Sequence, residues 1–239
     1  MNSLNVSTFE TPQDLAEAVA KSFVEQANVA IGESGRFAVA LAGGSTPKRA
    51  YEILAEAHRS NLDWSKVHVF FGDERTVPPD HENSNYRMAH QALLSRVPAG
   101  SVHRMRGELD PSEAAALYEE ELTECFRGPP RFDLVLLGIG EDGHTASLFP
   151  ETPALDVRNR WAVENPVEKL NAVRLTLTAP AINAARRVIF LVAGEGKSEA
   201  LREILEGGAD PRQYPARLIQ PEDGDLAWML DRTAANLLS

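Results

Sequence analysis

The sequence predicts an α/β fold built on a largely parallel sheet. Three observations carry this expectation. Short β-branched or apolar runs alternate with longer amphipathic stretches. Four of those runs end directly in a glycine-containing turn, "AGGSTP", "GDER", "GIGEDGH" and "AGEGK". Two of these turns lead straight into helical periodicity, as strand–turn–helix units do. The chain has 239 residues, 43% of them hydrophobic, enough for a sizeable core. With no internal repeat and no Ser/Gly linker, a single domain over 1–239 is the simplest organisation.

In chain order, roughly the first 35 residues read as one strand and one helix. "RFAVALAGG" (36–44) is a buried strand, followed by "PKRAYEILAEAHR", which opens on Pro47 and carries apolar residues at helical spacing. "KVHVFFGDE" (66–74) is the next strand, leading through a Pro-, Asp- and Asn-rich loop to "SNYRMAHQALL". "PSEAAALYEEELTECF" is a helix by pattern, with Ser112 or Asp110 as its cap. "FDLVLLG" and "RVIFLVAGEG" are further strands, the second running into the helix "KSEALREIL". Between them, "WAVENP" (161–166) and "AVRLTLT" (172–178) lie close together, and the second alternates with period two. They suit an antiparallel excursion or edge.

Composition narrows the function. The formal charge is −11, with acidic residues along the whole chain and no Lys/Arg cluster, which argues against a nucleic-acid partner. A small phosphorylated substrate remains compatible, because a few local cations and backbone N–H groups suffice to hold it. A lone cysteine, Cys125, excludes disulfides within the chain and suits a reducing cytoplasm; it reads as a small apolar residue on a helix. The N-terminus lacks a signal-peptide pattern, and no apolar run approaches the roughly 20 residues that span a bilayer. The expectation is a cytoplasmic protein with no membrane association and no obligatory protein partner.

Functional residues of parallel α/β folds gather beyond the carboxyl ends of the strands. In "FDLVLLGIGEDGHTAS" (132–147), Gly138-x-Gly140-x-x-Gly143 has the spacing of a dinucleotide loop. That reading fails because Pro150 and Pro153 stop any helix within about two turns. The glycines instead shape a tight turn presenting His144, with Asp142 or Glu141 beside it to orient the ring or raise its pKa. In "AGGSTP", Gly43, Gly44, Ser45 and Thr46 start a helix, with Ser or Thr as N-cap, and aim free N–H groups at an anion. "GDER" places Asp73, Glu74 and Arg75 after a strand; Lys197 begins a helix, where a cation opposes the dipole and hints at an anionic ligand. No G-x-S-x-G elbow, H-E-x-x-H or paired cysteines occur, so neither a serine hydrolase nor a metal is expected. His58, His68, His81, His90 and His103 are scattered and read as ordinary surface or core residues.

Together the four strand ends resemble the 6-phosphogluconolactonase family. The matching stretches are "LAGGSTPKRAYEIL", "FFGDERTVPPDHENSNYRMA", "FDLVLLGIGEDGHTASLFPETPAL", "RLTLTAPAINAARRVIFLVAGEGKSEAL" and "YPARLIQP", in family order and over most of the chain. The chain departs from the pattern at "NPVEKLNAVR" (165–174), where a Lys-Pro-Pro segment usually precedes an arginine. The resemblance implies a three-layer αβα, Rossmann-like fold similar to glucosamine-6-phosphate deaminase and ribose-5-phosphate isomerase. It implies hydrolysis of 6-phospho-D-glucono-1,5-lactone to 6-phosphogluconate, the second step of the oxidative pentose phosphate pathway, without metal or organic cofactor. It assigns proton transfer to His144 and phosphate binding to Arg75 and Lys197. Asp142 is then expected to hold the imidazole, while Gly43, Gly44, Ser45, Thr46 and Asp73 bind substrate. Two alternatives are a glucosamine-6-phosphate deaminase and a non-catalytic sugar-phosphate sensor. The deaminases typically follow their histidine with Ala-Phe-Asn-Glu-Pro, where this chain reads Ala146-Ser147-Leu148-Phe149-Pro150. A sensor would carry a DNA-binding helix-turn-helix ahead of the first central strand, and the residues there read as one strand and one helix.

Overall fold

The computed structural model describes residues 5–239. In chain order the elements are β1 (Asn5–Phe9), α1 (Pro12–Ser34), β2 (Phe37–Leu41), α2 (Ser45–Ala57), β3 (Val67–Phe71), β4 (Asp73–Arg75), α3 (Asn85–Ala89), β5 (Ser101–Val102), α4 (Pro111–Phe126), β6 (Leu134–Leu137), β7 (Ala162–Val167), β8 (Ala172–Leu177), α5 (Ala179–Asn183), β9 (Arg187–Val192), α6 (Ser198–Leu205) and β10 (Asp225–Asp231). Seven strands form the main sheet in the order β1-β10-β9-β6-β2-β3-β5, and each pairing is parallel. The expected α/β class with a parallel sheet is what forms.

The strands read as continuous apolar runs because both faces of the sheet are covered. Along β2, Phe37, Val39 and Leu41 enter the core beneath α1 and α2, while Ala38 and Ala40 face the core shared with α4 and α6. Helix starts are set by local chemistry. Thr11 and Asp14 close a reciprocal capping box on α1, and Gly35 ends that helix at φ +78°. Asp110, rather than Ser112, caps α4 by accepting from the N–H groups of Ser112 and Glu113.

Two starts differ from expectation. Gly44, at φ +105°, is the N-cap of α2, and neither Ser45 nor Thr46 caps it; both lie in the first helical turn. The conformation at residue 44 is one that side chains disfavour, so the glycine rather than a hydroxyl defines this start. "DER" is not a turn: the chain bends at Gly72, and Asp73–Arg75 becomes β4 of a second sheet in the order β4-β8-β7. The β7–β8 hairpin is antiparallel, as expected of an excursion from the main sheet, and β4 adds to it antiparallel.

The strand order positions the site. From β2 the chain crosses toward β3, whereas from β6 it proceeds toward β9 on the other side. The loops after β2 and β6 therefore part above the sheet and leave a crevice between them. The three-stranded sheet borders this crevice through β4.

Candidate active site

The loop after β6 is wound tightly around one side chain. The Gly143 N–H donates to the Gly140 carbonyl at 3.1 Å, and the Gly140 N–H to the His144 carbonyl at 2.8 Å. A Cβ on Gly140 would lie 2.0 Å from His144 Nδ1, so only glycine lets the imidazole fold back over the turn. Gly143 adopts φ +73° and lies against Tyr214, where a Cβ would come within 2.6 Å of the ring. Thr145 ties the far end down by donating to the Gly138 carbonyl at 2.9 Å.

His144 Nδ1 lies 2.6 Å from Asp142 Oδ1, which also accepts the His144 N–H at 3.2 Å. The other Asp142 oxygen pairs with Lys169 Nζ. Phe149 stacks on the imidazole with centroids 4.1 Å apart, and Lys169 Nζ lies over the same Phe149 ring, 5.0 Å from its centroid. With Nδ1 committed to Asp142, Nε2 has no protein partner among the described residues. Burial, with the Lys197, Arg174 and Arg75 cations and against the pull of Asp73, lowers the His144 pKa to about 4. The ring is thus neutral at pH 7, with Nε2 as an open acceptor.

The crevice beside this ring is a cleft of about 260 Å³ lined by Gly43, Gly44, Asp73, Arg75, His144 and Lys197, among others. It continues into a shallower hollow of about 500 Å³ reaching Asp142, Phe149, Lys169 and Arg174. Three larger hollows, of about 520, 630 and 640 Å³, lie elsewhere. We place the site in the smaller cleft and the hollow it opens into, because His144, Arg75 and Lys197 line both and Arg174 joins them in the second. Arg75 and Arg174 are paired in register across β4 and β8, and Arg75 Nη1 donates to the Asn83 carbonyl at 2.5 Å. Lys197 stands at the N-cap of α6, 3.8 Å from Glu141. No acceptor meets the Gly43 and Gly44 N–H groups among the described residues.

A family model described as "Glucosamine-6-phosphate isomerases/6-phosphogluconolactonase" matches residues 10–228. The chain belongs to the glucosamine-6-phosphate isomerase/6-phosphogluconolactonase family. It is 51% identical to a 6-phosphogluconolactonase of Synechocystis sp. over 87% of this chain and 88% of the relative. The 6-phosphogluconolactonase from Trypanosoma cruzi superposes with a TM-score of 0.88 at 30% identity, covering 99% of this chain and 97% of that one. A monomeric glucosamine-6-phosphate deaminase shares the fold, with a TM-score of 0.81 at 24% identity over 98% of this chain and all (100%) of that one.

Within this family fold, most of the residues singled out from sequence meet at one place: Gly43, Gly44, Asp73, Arg75, Asp142, His144 and Lys197 all line the two connected hollows. Ser45 and Thr46 do not line them, because Gly44 takes the cap position and turns both into the helix. Glu74 turns away from the cleft and is buried. Its carboxylate accepts from Ser84 Oγ and from the N–H groups of Arg75, Asn85 and Tyr86, pinning the 76–84 loop to β4.

Other site residues were not singled out. Asn85 donates to Asp73 Oδ1 at 3.1 Å, and a Cβ on Gly43 would lie 2.0 Å from its Oδ1. Ser147 Oγ donates to Asp73 Oδ2 at 2.7 Å, and fully buried Asn165 holds the Ser147 carbonyl at 2.8 Å. These groups fix the Asp73 carboxylate at the cleft wall. Arg174, Lys169 and Phe149 complete the surroundings, and the first two come from the segment that departs from the family pattern. There, Asn171 at φ +46° closes the turn after Lys169. An arginine at an alternating position of a strand carries no sequence signal for facing a second arginine; only the β4–β8 register reveals it.

Proposed function

We propose that this chain hydrolyses 6-phospho-D-glucono-1,5-lactone to 6-phospho-D-gluconate, within the oxidative pentose phosphate pathway and in the cytosol. The observation that carries the reading is a neutral imidazole, fixed at Nδ1 by Asp142 and open at Nε2, beside a cluster of three cations. A lactone is an activated ester, so a positioned water and a base suffice without a covalent intermediate. His144 Nε2 takes a proton from water as its oxygen bonds to the lactone carbonyl carbon. The tetrahedral adduct then breaks its bond to the ring oxygen, which receives that proton from the imidazolium. The product acid ionises and leaves as the carboxylate. Asp142 stabilises the transient imidazolium and fixes the tautomer, as a buried carboxylate does for a catalytic histidine.

The Gly43 and Gly44 N–H groups are donors suited to the oxyanion or a ring hydroxyl. The fixed Asp73 carboxylate is an acceptor for sugar hydroxyls. Arg75, Arg174 and Lys197 hold the phosphate, the guanidiniums by paired contacts and the ammonium as a point charge. Phe149 argues against deamination. It occupies the place of the deaminases' glutamate in the stretch after the histidine, and it lays an aromatic face on His144 instead of an acid.

A coupled assay with freshly generated 6-phosphogluconolactone, run beside glucosamine 6-phosphate with ammonia detection, tests the reading. Enzymatic opening of the lactone without ammonia release is expected. Ammonia release without lactone hydrolysis would overturn it.

A further inference from the structure

A second group of reactive side chains lies at the edge of the main sheet, in the 630 Å³ hollow lined by Arg36, His68, Ser101, His103, Glu121 and Cys125, among others. The parallel pairing of β3 and β5 sets His68 opposite Ser101. α4 lays Glu121 and Cys125 over them. Ser101 Oγ lies 2.8 Å from His68 Nδ1 and 2.9 Å from His103 Nε2, so the two rings turn nitrogens toward one point. One nitrogen of each ring and Cys125 Sγ lie within 4.8 Å of one another, and all three residues are partly exposed. Residues that look scattered along the chain are therefore neighbours in space.

We propose that His68, His103 and Cys125 form a second site that binds a zinc-class divalent cation, with water as the fourth ligand. Two imidazoles and a thiolate are the donor set that borderline-soft divalent metals prefer. Metal–nitrogen bonds of about 2.0 Å and a metal–sulfur bond of about 2.3 Å put tetrahedral ligand atoms roughly 3.3–3.8 Å apart. A side-chain contraction of about 1 Å, with the Ser101 hydroxyl swinging aside, closes the site to that geometry.

The surroundings are those of a supported ligand set. His103 is held flat on Phe70, with centroids 4.4 Å apart and planes 9° from parallel. Its Nδ1 faces Glu121 Oε2 at 3.5 Å while Nε2 faces the cluster. A carboxylate on the far nitrogen is the arrangement that orients a metal-bound imidazole and raises its basicity. Arg36 donates to the Cys125 carbonyl at 2.9 Å and lies 3.9 Å from the sulfur. Burial pushes the Cys125 thiol up and that guanidinium pulls it only partly back, while Glu121 and Glu124 in the same hollow offset the guanidinium's charge against a cation. On binding, the S–H bond breaks, the sulfur–metal bond forms and the proton passes to solvent.

The test is titration of chelator-stripped protein with Zn²⁺ against a chromophoric chelator, with Co²⁺ as the spectroscopic probe. One equivalent of Zn²⁺ is expected, and Co²⁺ should give intense tetrahedral bands together with thiolate-to-metal charge transfer. Cys125→Ser should abolish the charge-transfer band and weaken Zn²⁺ binding at least tenfold; His103→Ala should weaken binding similarly. Both variants should retain wild-type circular dichroism and lactone turnover, which separates metal loss from misfolding. His144→Asn should bind Zn²⁺ as the wild type does. Absence of stoichiometric binding, or binding that survives in Cys125→Ser and His103→Ala, would overturn the assignment.

Discussion

Arg75 and Arg174 stand directly opposite each other in the antiparallel β4–β8 register. Like charges in that relationship repel by a few tenths to about 1 kcal/mol. Burial and then Arg75 hold the Arg174 guanidinium below its ordinary pKa, and neither arginine forms an ion pair among the described residues. In the proposed complex, a dianionic phosphate between them and Lys197 would relieve the repulsion.

The first prediction follows from that pair. Arg75→Ala, Arg174→Ala and Lys197→Ala should each raise KM for the phosphorylated lactone about 10- to 100-fold, the value of a charge-assisted hydrogen bond. Turnover of unphosphorylated gluconolactone should change little, since it places nothing there. Steady-state kinetics on both lactones check this; equal losses on both would assign these residues to structure or chemistry.

A second prediction concerns pH. In the proposed mechanism the base is neutral imidazole, and burial lowers the His144 pKa to about 4. The acid limb of kcat/KM attributable to this group should therefore fall near pH 4 rather than near 6.5. With substrate phosphate held as proposed, the three cations would be offset, so the limb of kcat should lie at higher pH. Arg174→Ala should also shift the free-enzyme limb upward by removing one cation. For stability the sign is fixed by the unfolded value of about 6.5 exceeding the folded one. This histidine's contribution is complete above pH 6.5 and is lost as pH falls toward 4. Rate profiles and chemical denaturation between pH 4 and 8 measure both.

The turn supplies a third prediction. Gly140→Ala places a methyl group 2.0 Å from His144 Nδ1, so it should displace the imidazole from Asp142 and reduce kcat by at least tenfold. Gly143→Ala combines positive φ with contact on Tyr214 and should cost about 1–3 kcal/mol of stability. Activity assays and thermal unfolding distinguish the two.

For Glu74 the expectation is structural. Glu74→Gln replaces acceptor capacity with an amide that cannot satisfy all of its buried donors. It should destabilise the protein by about 1–3 kcal/mol. Any rise in KM should follow from loosening of the loop that leads to Asn85.

The parallel sheet was legible because its strands, covered on both faces, appear as unbroken apolar runs. The glycine-rich turns were legible because close approach and positive φ exclude other residues, as Gly140 and Gly143 show. The meeting of His144, Asp142, Arg75 and Lys197 at one crevice could be read because each follows such a strand. Ser45 and Thr46 were misplaced because a glycine cap and a hydroxyl cap look alike in "GGST". Arg174 was marked only as the arginine ending the segment that departs from the family pattern, and Asn85 and Ser147 were not legible at all. Their positions depend on β4 leaving the main sheet to pair with β8, and nothing local in "GDER" marks that departure. The His68–His103–Cys125 cluster escaped for the same reason, since only the β3–β5 register and the packing of α4 bring it together.

The most direct test of the central claim is His144→Asn, assayed on fresh 6-phosphogluconolactone with spontaneous hydrolysis subtracted. Asparagine keeps a polar group of similar reach at the turn but cannot relay a proton. General acid–base catalysis is worth about 10²–10⁴-fold, so kcat should drop by at least 10² while KM stays within a fewfold. A correctly folded variant that turns over the lactone within threefold of wild type would remove His144 from the mechanism.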